Sequence, residues 1–294
     1  VYSKMTKNVA YALLARLYLN SEAFIGTPRW QDCLDMCQKI SGYTLAPDYF
    51  TNFSQQNQTS PEIIFAIPYD SKAGTVGNYM SSMSAHYLHK LTLSPTGNYP
   101  WSGNGMAAQP GVYSSFSETD KRKGTMLIGD QINLATGSVI TMDNGSALTY
   151  TEEISSLTDA KENEGVRLNK YEAKAGDGWE RDNDLVIIRY AEILMMQAEC
   201  YVRIGSSSLA VPYVEQITSR AGTEMPAVVD LDFIDKELLR EFIFEGRRRT
   251  DNIRFGTYFL PWWEKGANDL TTGIFPIPTA VLSTNNKLKQ NPGY

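Results

Sequence analysis

The chain has only two histidines, His86 and His89, and their H-x-x-H spacing suits zinc. Two ligands make no metal site without a third and a fourth, so both read as ordinary polar or capping histidines. The same shortage excludes a Ser-His-Asp apparatus. There is no GxSxG elbow, HExxH helix or GxxxxGK[ST] loop. Paired carboxylates are the remaining route to hydrolysis, because glycoside cleavage needs only two acids at a suitable separation. The candidates are Glu152 with Glu153, and Asp182 with Asp184. Neighbouring acids such as Glu152 and Glu153 mark solvated turns. Asp182 and Asp184 precede a helix expected near Ile187, where aspartate caps and complements the helix dipole. The run Glu180–Asp184 also offers oxygen ligands of the kind calcium takes, at a spacing unlike that of an EF-hand. No cofactor is expected beyond that one admissible structural calcium ion.

Residues suited to gripping a solute are plentiful. Tyr79, Tyr87, Tyr99, Trp101 and Tyr113 stand among Asn78, Asn98, Asn104, Gln109 and many serines. Trp179 lies in AKAGDGWERDND, between glycines and charges, a poor setting for a core tryptophan. A sugar ring has an apolar C–H face and a polar rim. An aromatic face stacks on the first, and amides or charged groups address the second. Trp101 and Trp179 are the expected stacking platforms, with Tyr79 and Tyr99 as secondary ones and Asn104 as a polar partner. In the competing reading the same rings only anchor long loops to the core. Trp262 and Trp263 follow FLP directly after the helical part and read as core residues.

Bulk properties narrow the classes further. The 294 residues are 42% hydrophobic with a net charge of −6. Nucleic acid is excluded as a partner, since it needs a basic face to neutralise phosphate. The charge gives no general attraction to anionic lipid. No run approaches the roughly 18 apolar residues of a membrane span. Three cysteines make no disulfide framework. Cys33 and Cys37 share the helical stripe Trp30, Cys33, Leu34, Cys37 and read as small core hydrophobes.

The apolar spacing predicts a mainly helical protein. A first helix is expected over 4–20, capped by Thr6, with Ala10, Leu13, Leu14, Leu17 and Tyr18 facing inward. A second runs from Pro28 to about Ile40 and stops at Gly42. Together they form a hairpin of tetratricopeptide size. A similar hairpin is expected over 186–221, opening at Val186. Its polar stripe is Arg189, Glu192, Glu199 and Arg203. A shift of 183 residues superposes Ala15 on Ala198, Tyr18 on Tyr201 and Trp30 on Tyr213. A third helix is expected over 233–249, with Arg240, Glu241, Glu245 and Arg249 forming a structural ion network. Between the hairpins, IIFAIPY (63–69) is extended, and the segments near 126–134 and 138–150 form one β-hairpin with Thr-Gly and Asn-Gly turns. The FPIP tail is extended. Two repeat hairpins alone bury little surface, so they are expected to pack on each other and on helices not contained in this sequence.

Three phrases near the chain end carry a resemblance: VIIRYAEILMMQAECYVRIG, KELLREFIFEGRRRTDNIRFG and IFPIPTAVLSTNNKLKQNPGY. In this order they resemble the C-terminal part of the SusD/RagB family. MTKNVAYALLARLYLNSEAF, RWQDCLDMCQKI and SPEIIFAIPY resemble its middle portion. The resemblance is weak from about Asp70 to Asp182. It implies an outer-membrane, cell-surface lipoprotein of Bacteroidetes. Such a protein binds oligosaccharide without cleaving it and passes it to a SusC-like TonB-dependent transporter. It also implies that this sequence is a fragment, with its secretion signal, lipidated cysteine and further helices lying upstream. The expected architecture is a single domain over 1–294, mainly α. Tetratricopeptide-like hairpins from 1–69 and 185–294 form its scaffold. Residues 70–184 form a loop-rich, ligand-facing insertion with a small β-hairpin. The alternative functions are a tetratricopeptide-type scaffold for a peptide and, behind it, a glycoside hydrolase.

Overall fold

A computed structural model describes residues 2–70, 73, 77–91, 102–133, 136–173 and 181–294. Helix α1 (Lys7–Leu19) opens at Thr6, whose hydroxyl accepts from the Val9 amide at 3.4 Å. A short α2 (Ser21–Ile25) follows, then α3 (Trp30–Cys37). The inward face of α1 is Val9, Ala12, Ala15 and Leu19. This corrects the expected stripe: Leu13, Leu14 and Leu17 are exposed, Leu17 by 56%. The alanines let neighbouring helices approach closely, so the tight contact forms on the alanine side. Arg16, beside that side, reaches Glu192 at 2.5 and 2.6 Å and the Ile187 carbonyl at 2.5 Å. Cys33, Leu34 and Cys37 are buried as expected, and the three thiols are free.

The strand β1 (Ile63–Ile67) pairs antiparallel with β6 (Leu185–Arg189), from Ile63 opposite Arg189 to Ile67 opposite Leu185. The second hairpin therefore does not open at Val186. Val186 and Ile188 alternate inward with β-branched neighbours, a strand pattern. Helix α5 (Tyr190–Arg203) begins only after Arg189, whose backbone is extended (φ −134°, ψ 158°). Residues Ala191 to Cys200 are all buried, because α5 is sandwiched. On one side it packs with α1, α3 and β1 through Ile193, Met196 and Cys200. On the other it packs with α6 (Ser207–Ala221) and α7 (Leu231–Phe242) through Leu194, Met195 and Ala198. The equivalent positions Ala15 and Ala198 are both fully buried, and Tyr201 stacks on Tyr213 at 5.8 Å. Hairpins from the two ends of the sequence thus share one helical core.

Helix α7 is capped by Asp230, which accepts from the Phe233 amide at 2.8 Å. It ends at Phe242, and α8 (Arg248–Phe255) is separate. The expected single helix over 233–249 is broken by Ile243 (φ −50°, ψ 134°) and by Phe244, in the left-handed region at φ 62°. The break frees carbonyls that a continuous helix would consume. The Glu241 carbonyl accepts from Arg189 at 2.7 Å and from Tyr49 at 2.8 Å, and the Ile243 carbonyl accepts from Lys170 at 2.7 Å. The ion network is also wider than expected. Glu241 meets Arg122, Arg189 and Arg220, and Glu245 meets Arg189 and Lys170. Of the two arginines expected in it, Arg240 reaches only Glu237 among the described carboxylates. Arg249 instead donates to the Thr272 carbonyl and lies 4.2 Å over the Phe275 ring. Arg189, read from sequence as part of the stripe on α5, belongs to this network, whereas Arg203 does pair with Glu199 at 2.7 Å.

The insertion contains α4 (Met80–Ser84) and two short strand pairs: β2 (Met126–Leu127) with β5 (Arg167–Leu168), and β3 (Gly129–Asp130) with β4 (Thr149–Tyr150). Isolated bridges join Ile132 to Val139 and Thr141 to Ala147, so this region makes two successive tight turns where one hairpin was expected. Its turns need positive φ at Gly137 (72°) and Gly145 (82°), the Thr-Gly and Asn-Gly signals. A small core of Ile140, Met142, Leu148 and Tyr150 holds it. Past Phe255 the chain is half-buried or exposed throughout; FPIP is extended as expected, and a short α9 (Thr279–Thr284) follows it. Among the described residues no helix is long and apolar enough to cross a membrane.

Candidate functional site

Helix α4 is held against the segment 102–106. The Gly103, Asn104 and Gly105 amides donate to the carbonyls of Ser82, Ala85 and Met83 at 2.7, 2.9 and 2.7 Å. Asn104 turns through φ 49°, a conformation that asparagine tolerates better than most residues. Its side chain ties two loops together: Nδ2 donates to the Glu162 carbonyl at 2.8 Å, and Oδ1 accepts from Arg167 Nε at 3.0 Å. The Arg167 guanidinium, only 3% exposed, also donates from Nη1 to the Glu164 and Gly165 carbonyls and from Nη2 to the Glu162 carbonyl. It lies 4.9 Å from the Tyr150 ring centroid. Asn104 and Arg167 thus fix the loop 162–165 against the segment 102–106.

A second element closes on this loop from the chain end. Trp262 and Lys265 exchange backbone hydrogen bonds of 3.1 and 2.7 Å, and Glu264 between them accepts from the Leu157 amide at 2.5 Å. A cleft of about 510 Å³ lies between this turn and the loops, within the roughly 300–1,000 Å³ of small-ligand sites. Its walls include Asn104, Gln109, Lys161, Arg167, Trp262 and Trp263. The core reading of the two tryptophans is therefore corrected. Trp262 is 39% exposed and Trp263 half-buried, because the turn sits on the surface rather than under the helices. Sequence reasoning passed them over because FLP looked like the end of a core helix. The turn residues between Pro261 and Gly266 were the available signal.

Two other hollows have different linings. One beside Arg16, Arg247 and Arg254 is charged, but those cations are committed to Glu192, Glu199 and Asp251. One between α7 and β5 is lined mainly by apolar side chains, with Arg247, Arg248, Arg249 and Asp251 also in its wall.

Of the residues expected to stack or bind, Asn104 lies in the cleft wall. Tyr79, 44% exposed, stands at the start of α4, next to Asn78, whose backbone pairs with that of Arg181. Trp101, Trp179 and Tyr99 lie outside the described residues. The histidines sit beneath the cleft. His89 is buried: its Nε2 donates to Gln131 at 3.1 Å, and its Nδ1 accepts from the Tyr150 hydroxyl at 2.8 Å. Burial therefore lowers its pKa to about 4. His86 Nδ1 accepts from the Leu88 amide at 3.1 Å, which leaves Nε2–H facing Glu162 at 3.5 Å; burial lowers its pKa against the pull of Glu162. Glu162 also accepts from the Tyr87 hydroxyl at 2.6 Å, which holds its carboxyl below the usual range. Asp184 accepts from Tyr2 at 2.6 Å and from the Tyr69 amide at 2.8 Å, so its oxygens fix local structure. Among the described residues no group of three His, Cys, Asp or Glu side chains is arranged to hold a metal ion.

Comparison with known proteins places this architecture. The starch-binding protein SusD of Bacteroides thetaiotaomicron is 24% identical over 347 residues, covering all of this chain and 61% of the relative. SusD-like protein P2 of Formosa agariphila is 25% identical, covering 98% of this chain and 60% of its own length. Among solved structures, surface glycan-binding protein A from Bacteroides thetaiotaomicron superposes with a TM-score of 0.74 at 22% identity, over 99% of this chain and 64% of its own. A structure of surface glycan-binding protein A from the same organism, in complex with laminarihexaose, gives 0.73 at 23% identity, over 99% and 65%. The chain thus spans about three fifths of the length of these relatives. The tetratricopeptide-like hairpins and the irregular insertion are the shared fold. With the family's sequence model matching residues 38–272, the chain belongs to the SusD family.

Proposed function

We propose that this chain belongs to a cell-surface, lipid-anchored protein of the outer membrane. It captures oligosaccharide and delivers it to a SusC-like TonB-dependent transporter, and no bond is broken. Three things support the reading: family membership, relatives named for binding starch and glycans, and the chemistry of the cleft. The cleft is the observation that carries it. Two partly exposed indole rings face amide and charged groups across a space of saccharide size, the pairing that a sugar's apolar face and polar rim require. Residues 1–69 and 185–294 serve as the scaffold of a single domain, and 70–184 is the ligand-facing region, closed by the turn at 262–265. Trp101 and Trp179 are proposed as stacking platforms for the same ligand, with Tyr79 and Tyr99 as secondary ones and Asn104 as polar partner.

Affinity electrophoresis tests this on the alanine variants of Trp101, Trp179, Trp262 and Trp263, with circular dichroism as the folding control. Loss of one platform is expected to weaken retention by about tenfold, the equivalent of roughly 1–2 kcal/mol of ring stacking. Parental retention in all four variants would refute the reading, and so would release of reducing sugar from the bound polysaccharide.

A further inference from the structure

We propose that the cleft selects an acidic saccharide, one whose carboxylate or sulfate group is met by Arg167 and Lys161. This rests on the capture reading above and names its ligand class.

Arg167 is 3% exposed, yet its hydrogen bonds among the described residues all run to neutral oxygens: Asn104 Oδ1 and the carbonyls of Glu162, Glu164 and Gly165. Arg122 and Arg189, buried to the same degree, each face two or more carboxylates. A buried cation without a counter-ion is costly unless something supplies the missing charge. One N–H of Nη2 remains without a partner among the described residues, and the side chain lines the cleft.

The two carboxylates in the same wall do not fill this role. Glu162 turns to the Tyr87 hydroxyl and His86, and Glu164 to the amide and hydroxyl of Ser155 at 2.8 and 2.6 Å. Both give Arg167 only their backbone carbonyls. The positive charge beneath the cleft also acts on His86 and His89, against protonation. At the rim, Lys161 is exposed, and its charge acts on Glu164 in the same wall without a direct ion pair among the described residues. The same wall carries the Glu162 and Glu164 carboxylates, so the cleft has no net positive charge; an anion is met there by the placement of Arg167 and Lys161 beside the two indoles. The chain as a whole carries a net charge of −6, so bulk attraction does not bring a polyanion to it. Selectivity must come from this local pair.

The test is native affinity electrophoresis of the purified chain through gels containing starch, laminarin, polygalacturonate or dextran sulfate. Retention by a polyanion at least about tenfold stronger than by either neutral polymer is expected, the scale of one charge-assisted hydrogen bond. It should weaken with added salt. Which polyanion is retained distinguishes carboxylate from sulfate. Lys161→Glu, at an exposed site, should reduce that retention by tenfold or more while leaving the circular dichroism spectrum unchanged. Arg167→Met should abolish it wherever that variant folds. Equal retention by neutral and acidic polymers overturns the proposal while leaving saccharide capture standing, and so does polyanion retention unaffected by Lys161→Glu. No retention in any gel overturns the capture reading itself.

Discussion

Glu241→Gln isolates the charge at the centre of the fold. Glu241 is fully buried, and its carboxylate is shared by Arg122, Arg189 and Arg220. Around it, among the described residues, five carboxylates (Glu62, Asp120, Glu237, Glu241, Glu245) face five cations (Arg122, Lys170, Arg189, Arg220, Arg240). Glutamine keeps the shape but leaves one buried positive charge in excess and turns an N–H₂ donor toward guanidinium donors. Removing one partner of a buried pair costs about 3–5 kcal/mol. At roughly 2–4 °C per kcal/mol for a chain of this size, the melting temperature should fall by about 10 °C. Glu118→Gln is the control: its side chain is 92% exposed beside Lys123, and the change should stay within about 0.5 kcal/mol. Calorimetry of the three proteins provides the measurement. Burial pushes the Glu241 carboxyl up, but Arg220, Arg189 and Arg122 hold it well below the usual range. Its contribution is therefore fully present above the ordinary unfolded value, near ~4.3, and is lost only as pH falls through the lower folded value. The gap between parent and variant should accordingly narrow at strongly acid pH. A Glu241→Gln melting temperature within about 2 °C of the parent at pH 7 would refute the reasoning.

Two further predictions concern the core and the histidines. Ala15→Leu should cost about 1–3 kcal/mol by overpacking the face of α1 that meets α3 and α5, whereas Leu17→Ala, on the exposed face, should change stability by about 0.5 kcal/mol or less; urea midpoints showing the reverse would restore the leucine face as the core. His89 has a folded pKa of about 4 against an ordinary 6.5, so the unfolded chain binds more protons between those values and stability should fall by about 3 kcal/mol as pH drops from 6.5 to 4. His89→Gln should remove that part of the slope in urea titrations at pH 7, 5.5 and 4, and an unchanged slope would contradict the assignment.

Local pattern in the sequence revealed what local physics decides. The Thr6 cap, the Trp30–Cys37 stripe, the 183-residue echo between hairpins and the Thr-Gly and Asn-Gly turns all depend on neighbours in the chain. The inward face of α1 does not. Leucines and alanines both satisfy helical spacing there, and only the approach of α3 and α5 selects the alanines. The strand at Leu185–Arg189 was hidden for a similar reason, because its partner lies at Ile63–Ile67. Glu241 and Glu245 were legible as structural acids, but their cations come from positions 122, 170, 189 and 220, distances in sequence that no spacing rule spans. The cleft was legible only in part. Asn104 was singled out for its amide, while Trp262 and Trp263 were assigned to the core. Their exposure follows from a turn docked on Leu157, more than a hundred residues away.

The pairing of β1 with β6 has a consequence for how this architecture diversifies. Ile67 and Leu185 lie side by side, so everything between them leaves and re-enters the scaffold at one doorway. Closing a longer or shorter excursion there changes the entropy only logarithmically with length, which makes this stretch open to wholesale exchange. The exchange is not free of conditions. Arg122 and Lys170 belong to the excursion and neutralise Glu241 and Glu245 of the scaffold. A transplanted segment must return a cation to each of those places, whatever solute its loops are shaped to hold.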